Sequence, residues 1–159
     1  MTKAPELDLS TAHEFFSVHC FNGAWSLMDR ADRTEDDNER LVGLAHASYW
    51  HWAERADCTK KNLAIAYWLL SRVYALVGRA QPALYYASLS LKAGEAARVS
   101  PYLLGSAHEA MARAAHLAGD DATFSAESRK AREIAQALGK VEERKMLLAD
   151  IDSIGARSA

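Results

Sequence analysis

Histidine is the residue type that most invites a chemical function in this chain, which contains six of them. They are His13, His19, His46, His51, His108 and His116. Residues that bind one metal ion from a single helix are spaced three or four positions apart. The gaps on the predicted helices here are six, five and eight residues, so the spacing predicts no metal site on one helix. A site assembled from several helices stays open.

Two further combinations resemble catalytic pairs but lack the geometry that catalysis needs. His108 precedes Glu109, and Cys20 follows His19. Neighbouring residues on a helix diverge by about 100°, so the thiol and the imidazole do not face each other. The sequence contains no glycine-rich phosphate loop, serine elbow or zinc signature. We therefore predict no catalytic residues, no bound metal and no cofactor.

The composition favours one helical domain without a strongly charged partner. The chain has 159 residues, half of them apolar, and only three prolines. Its 19 basic and 21 acidic residues give a formal net charge of -2 without long runs of one sign. This balance argues against a nucleic-acid interface or a membrane-surface patch. No apolar run approaches the ~20 residues of a membrane span.

Cysteine usage and the start of the chain indicate a cellular location. Cys20 and Cys58 are lone thiols without a Cys-x-x-Cys motif, which favours a reducing compartment over a disulfide. The first ten residues contain no apolar segment of the kind that a signal peptide needs. The sequence therefore predicts a cytoplasmic protein.

Start and stop signals divide the chain into seven predicted helices and no strands. The starts are marked by residues that cap or open helices: Thr11, Thr34, Thr59, Pro82, Pro101 and Asp120. Glycines mark three of the ends: Gly78, Gly119 and Gly139. Short links make consecutive helices antiparallel, giving a single domain over residues 11–154. Residues 1–10 are expected to form a weakly ordered lead, and residues 155–159 a frayed tail.

Bulky residues in the first two predicted helices raise the question of what covers them. Those of the first helix recur every three or four positions and so share one face: Phe15, Val18, Phe21, Trp25 and Met28. The run from Tyr49 to Trp52 instead points all around the second helix. Packing of the second helix against the first and third helices would cover this run. Any exposed part would form a dimer interface or a pocket wall.

The third to sixth helices resemble tetratricopeptide (TPR) repeats, which are helical hairpins with a turn glycine and small residues at fixed positions. In the hairpin of the third and fourth helices, the matching residues are Tyr67, Leu70, Ser71, Tyr74, Gly78, Ala83 and Ser90. In the hairpin of the fifth and sixth helices, they are His108, Met111, Ala112, Ala115, Gly119 and Ala131. The turn glycines stand 41 residues apart, against about 34 in the standard repeat, and residues 11–56 show no clear motif.

This resemblance implies an all-α fold in which three antiparallel hairpins and a C-terminal capping helix form a right-handed TPR-like stack. The chain is also similar to small bacterial TPR-like proteins. In the family, the first helix of each hairpin lines a concave groove. The groove positions map onto Trp68, Arg72, Glu109, Arg113 and His116, with Asn22 added by the first helix, whose register stays open.

These groove residues favour recognition of a carboxylate or phosphate. A guanidinium fork matches two oxygens at once, so Arg72 and Arg113 could clamp a peptide end or a small anion. Trp68 would add apolar contact. The alternative is that Arg113 pairs with Glu109, four residues before it on the same helix.

The sequence therefore predicts a non-enzymatic scaffold or adaptor that binds a protein or peptide partner in this groove. The alternative is a helical-bundle protein that binds a small molecule or a metal, with or without enzymatic activity. A third hypothesis is a homodimer through the aromatic region Tyr49–Trp52. Neither nucleic acid nor a membrane is an expected partner.

Overall fold

The computed structural model describes residues 8–156, and every regular element in that range is an α-helix. The helices are α1 (Leu9–Met28), α2 (Glu35–Ala53), α3 (Lys60–Leu76), α4 (Ala80–Ala97), α5 (Pro101–Ala118), α6 (Asp121–Ala137) and α7 (Val141–Asp152). The all-α prediction is thus confirmed for the described residues. Most of the predicted lead and part of the predicted tail lie outside those residues.

The helices belong to two compact units, whereas the sequence prediction treats residues 11–154 as one domain. Unit 1 ends at Cys58 and contains α1 and α2. Unit 2 begins at Thr59 and contains α3 to α7.

Local hydrogen bonds at most helix starts match the predicted caps. The side chains of Thr34 and Thr59 each accept a bond from the backbone N–H three residues later, and each forms a complete capping box. The side chains of Ser100 and Asp120 cap α5 and α6 in the same way. These four starts were predictable because each depends on only four consecutive residues.

Two predicted starts are wrong by a few residues. The carboxylate of Asp8 accepts a hydrogen bond from the N–H of Ser10 at 3.1 Å, so α1 begins at Leu9 and Thr11 lies inside it. Helix α4 begins at Ala80, which makes Pro82 its third residue instead of its first. Proline is still tolerated there, since N–H groups of the first turn have no partner within the helix.

Unit 1 is an antiparallel pair in which small residues bring α1 close to α2. The buried side of α1 consists of Ser17, Cys20, Ala24 and Leu27. Across the pair, the Ser48 hydroxyl donates to the Ser17 carbonyl at 2.8 Å.

The bulky apolar residues of α1 do share a face, but only Phe21 and Met28 of that face are half-buried. Phe15, Val18 and Trp25 remain exposed. Close contact between two helix backbones requires small side chains, which is why serine, cysteine and alanine occupy the inner side.

Unit 2 is built from two antiparallel hairpins, α3–α4 and α5–α6, with α7 packed against α5 and α6. The Ser71 hydroxyl donates to the Ala83 carbonyl, and the Ser90 hydroxyl donates to the Ala64 carbonyl, both at 2.9 Å. These bonds run in opposite order along α3 and α4, and they confirm the small residues predicted at the hairpin contact. Helix α5 also packs against α3 and α4.

Helix α7 is held by a small apolar cluster and by the absence of a side chain on α5. Its Leu147 and Ile151 are buried in a cluster whose other members are Ala131, Ala135 and Leu138. A Cβ atom on Gly105 would lie 2.5 Å from Leu147 Cδ2 and 3.1 Å from Ile134 Cγ2. Any other residue at this point of α5 would therefore force the side chain of Leu147 or Ile134 to shift.

We predict that Gly105→Val lowers the free energy of unfolding by about 1–3 kcal/mol, because the added side chain overpacks the contact with α7. Urea denaturation followed by circular dichroism measures the change. Gly139→Ala is the control, since a Cβ atom at Gly139 meets nothing within 4 Å. Equal stability of the two variants would contradict the prediction.

Candidate functional site

Two arginines and two carboxylates form an ion-pair cluster that joins three helices of unit 2. Arg72 on α3 extends one nitrogen to Glu109 Oε1 on α5 at 2.9 Å and another to Asp150 Oδ1 on α7 at 2.8 Å. Arg113 Nε donates to the same Glu109 oxygen at 2.7 Å. Glu109 thus binds two guanidinium groups through one oxygen.

The Arg113 side chain also holds the C-terminal end of α7. Its Nη2 donates to the backbone carbonyl of Asp150 and to the Ser153 hydroxyl, both at 2.8 Å. The Ser153 hydroxyl in turn donates to the Asp150 carbonyl at 2.7 Å. A cation at this position adds a charged donor to a carbonyl of the last turn and complements the negative end of the helix dipole.

Burial makes the cluster more than a set of surface ion pairs. The Glu109 side chain is 1 % exposed, and a carboxylate is rarely buried to this extent unless it is paired. Burial acts to lower the pKa of Arg72, but Glu109 and Asp150 outweigh it and the pKa is raised. The pKa of Arg113 is lowered, by burial first and by the nearby Arg72 charge.

The balance of charge decides what the cluster can bind. It contains two guanidinium groups, from Arg72 and Arg113, and two carboxylates, from Glu109 and Asp150, so its formal charges cancel. The predicted clamp for an external anion is therefore occupied by the chain's own carboxylates. The Arg113–Glu109 pairing that sequence analysis left as the alternative is present.

The other three predicted groove residues are Trp68 and His116 in unit 2 and Asn22 in unit 1. Trp68 stands one turn before Arg72 on α3 and is half-buried. His116 is exposed, and its ring lies against Gly155 and 5.1 Å from the Phe124 ring, centroid to centroid. Asn22 is exposed on α1, in unit 1.

Sequence analysis missed Asp150 and Ser153. Asp150 follows Leu147 by three residues and precedes Ile151 by one, so this acidic residue lies beside the buried residues of α7 while staying partly exposed. A carboxylate on the apolar side of a helix is a signal for a buried ion pair. Its partner could not have been read from spacing, because Arg72 lies 78 residues earlier in the chain.

Two short polar contacts involve histidine side chains, one in each unit. His13 Nδ1 and His51 Nδ1 are 2.9 Å apart in unit 1. In unit 2, His108 Nδ1 lies 2.6 Å from Glu127 Oε2 on α6. The carboxylate partner of His108 is thus Glu127, not the adjacent Glu109 considered from the sequence.

The aromatic region Tyr49–Trp52 is divided between buried and exposed positions. Trp50 is 53 % exposed, while its three neighbours in the run are half-buried. The Arg55 guanidinium lies 4.0 Å from the centroid of the Trp52 ring, which gives a cation–π contact. Packing inside unit 1 therefore accounts for part of this region.

Three further findings concern the chain as a whole. Among residues 8–156, no group of three or more His, Cys, Asp or Glu side chains is placed to hold a metal ion. Over the same residues, no helix combines the length and the apolarity needed to cross a bilayer. Comparisons with protein-family models, curated proteins and solved structures gave no match.

We predict that Glu109→Gln lowers the free energy of unfolding by about 3 kcal/mol, because it leaves two half-buried guanidinium groups with a single carboxylate. Urea denaturation at neutral pH measures the loss. Glu133→Gln is the control, because it removes an exposed carboxylate 3.9 Å from Arg129. We expect it to change the free energy of unfolding by less than about 1 kcal/mol. A Glu109→Gln variant as stable as this control would refute the structural role of the cluster.

We also predict that protonation of His51 destabilises unit 1. Burial, followed by the proximity of His13, lowers the pKa of His51 below its ordinary 6.5. The stability that neutral His51 contributes is therefore fully present above about pH 6.5, the ordinary pKa. It is lost as the pH falls through the lowered pKa of the folded protein. His51→Gln should flatten this part of the stability curve, measured by urea denaturation between pH 7.5 and 5. Parallel curves for the two proteins would contradict this assignment.

Proposed function

We propose that this chain is a non-enzymatic interaction module that binds a protein or peptide partner on the α3–α5 face of unit 2. We define that face by Arg72, Glu109 and Arg113. The observation that carries the proposal is that this face binds a helical segment already, the C-terminal turn of α7.

The way in which α7 is bound suggests the chemistry of the partner. Arg72 contacts the Asp150 carboxylate, and Arg113 contacts the backbone carbonyl of the same residue. A partner segment with a carboxylate and accessible carbonyls at the end of a helix would make the same contacts. We infer that such a segment binds in competition with α7.

The charge balance explains why competition is needed. Departure of the Asp150 carboxylate would leave two guanidinium groups and one carboxylate, a site with a net positive charge. An acidic segment would restore neutrality. As long as α7 is in place, its high effective concentration keeps a free peptide out.

Helix pairing in unit 2 supports the TPR-like part of the proposal. The α3–α4 and α5–α6 hairpins pack side by side, and their first helices, α3 and α5, are in contact. Gly78 and Gly119, the turn glycines of the resemblance, both have a φ of 76°. We also propose a cytoplasmic location, which the free thiols of Cys20 and Cys58 support.

The test uses a fluorescein-labelled peptide with the sequence of residues 141–156, added to full-length protein. We expect Asp150→Ala protein to bind this peptide at least about tenfold more tightly than the wild type, because the internal competitor has lost its carboxylate. Asp152→Ala is the matched control, since Asp152 is an exposed residue of α7 that pairs with Arg132. Fluorescence anisotropy gives the affinities, and circular dichroism confirms that both variants are folded.

Two results would overturn the proposed mode of binding. One is equal affinity of the Asp150→Ala and Asp152→Ala proteins for the peptide. The other is unchanged binding of a peptide in which the residue corresponding to Asp150 is alanine, since the carboxylate would then contribute nothing.

A further inference from the structure

The exposed side of α1 carries larger apolar side chains than the side that the fold buries. Phe15 is 58 % exposed, Val18 45 % and Trp25 37 %. The buried side of the helix carries mainly small residues. Large apolar side chains gathered on one exposed helix face are typical of an interaction surface.

The spacing of these residues indicates what kind of partner fits. Phe15, Val18, Asn22 and Trp25 follow one another at intervals of three, four and three residues. We call these four residues the α1 stripe. Alternating intervals of three and four give the 3.5-residue repeat of the a and d positions in a coiled coil. A helix running nearly parallel to α1 packs on such a stripe by inserting its side chains between these residues.

Asn22 is the polar residue of the α1 stripe, and it indicates which kind of helix could pack there. With Phe15 at position a, Asn22 also falls at a and is exposed. Asparagine at a is costly against an apolar residue but pairs well with a second asparagine at the same level of a parallel dimer. An identical helix in parallel register supplies that second asparagine.

The flanking residues favour the same arrangement. Glu14 and His19 are both exposed and fall at the g and e positions beside the stripe. In a parallel, in-register pair, g of one helix faces the following e of the other. Glu14 of each copy would then accept a hydrogen bond from the His19 imidazole of the other, twice by symmetry.

We propose that α1 pairs in parallel, in register, with α1 of a second copy of this chain. The residues of this interface belong neither to the α3–α5 face nor to the Tyr49–Trp52 region. The stripe spans about two heptads, so it buries much less than the ~1,600 Å² of a standard interface. The dimer is accordingly weak and depends on protein concentration.

Sedimentation equilibrium of the full chain between about 10 µM and 1 mM tests the dimer. The wild type should pass from monomer to dimer over this range, and Val18→Ser should weaken the association at least about tenfold. Val141→Ser is the matched control, because Val141 is 48 % exposed on α7 and lies outside the stripe. It should associate like the wild type.

Disulfide trapping tests the register. Asn22→Cys in a Cys58→Ser background should form a disulfide-linked dimer under mild oxidation, since Cys20 is buried and the two introduced thiols face each other. Gln136→Cys in the same background should not, because Gln136 is an exposed residue of α6.

Three outcomes would overturn the proposal: a monomer at every concentration, a dimer that Val18→Ser leaves unchanged, or a dimer in which Asn22→Cys forms no disulfide. A dimer that persists in Val18→Ser but is lost in Trp50→Ser would assign the interface to the aromatic region instead.

Discussion

The buried carboxylate of Glu109 is the constraint on which the arrangement of unit 2 depends. Helix α5 buries mainly alanines on its other inner positions. Alanine side chains allow helices to pack closely, but they are too small to fix the register of one helix relative to another. A carboxylate at 1 % exposure must be met by cations, and only particular placements of α3 and α7 bring Arg72 and the end of α7 to it. We interpret the cluster as the element that fixes their register.

In the function that we propose, the same cluster ties partner binding to the position of α7. Arg72 and Arg113 are the groups most suited to recognise an anion, yet their charges are matched within the chain. An external ligand must therefore replace an internal contact instead of filling an empty site. In the function that we propose, such exchange would favour partners that reproduce both the carboxylate and the carbonyl contact, and it would give the face a selectivity that two free arginines would lack.

Features that depend on a few consecutive residues were predictable from the sequence, and contacts between distant residues were not. Thr34 and Thr59 cap their helices as predicted, because each box closes within four residues. Arg72, Glu109 and Arg113 were recognised as candidates through the resemblance of α3 and α5 to repeat helices. Asp150 was not, since its place beside Arg72 results from the packing of α7.

Helix α1 shows why a periodic pattern does not reveal which side of a helix is buried. In α3 the bulky residues Leu69, Leu70 and Val73 are fully buried, because that helix packs against both α4 and α5. In unit 1, α1 meets α2 through small residues, and its bulky side stays exposed. Packing within one copy of the chain gives no reason for the regular spacing of Phe15 and Trp25, because both are exposed. Pairing with another helix gives that spacing a physical reason.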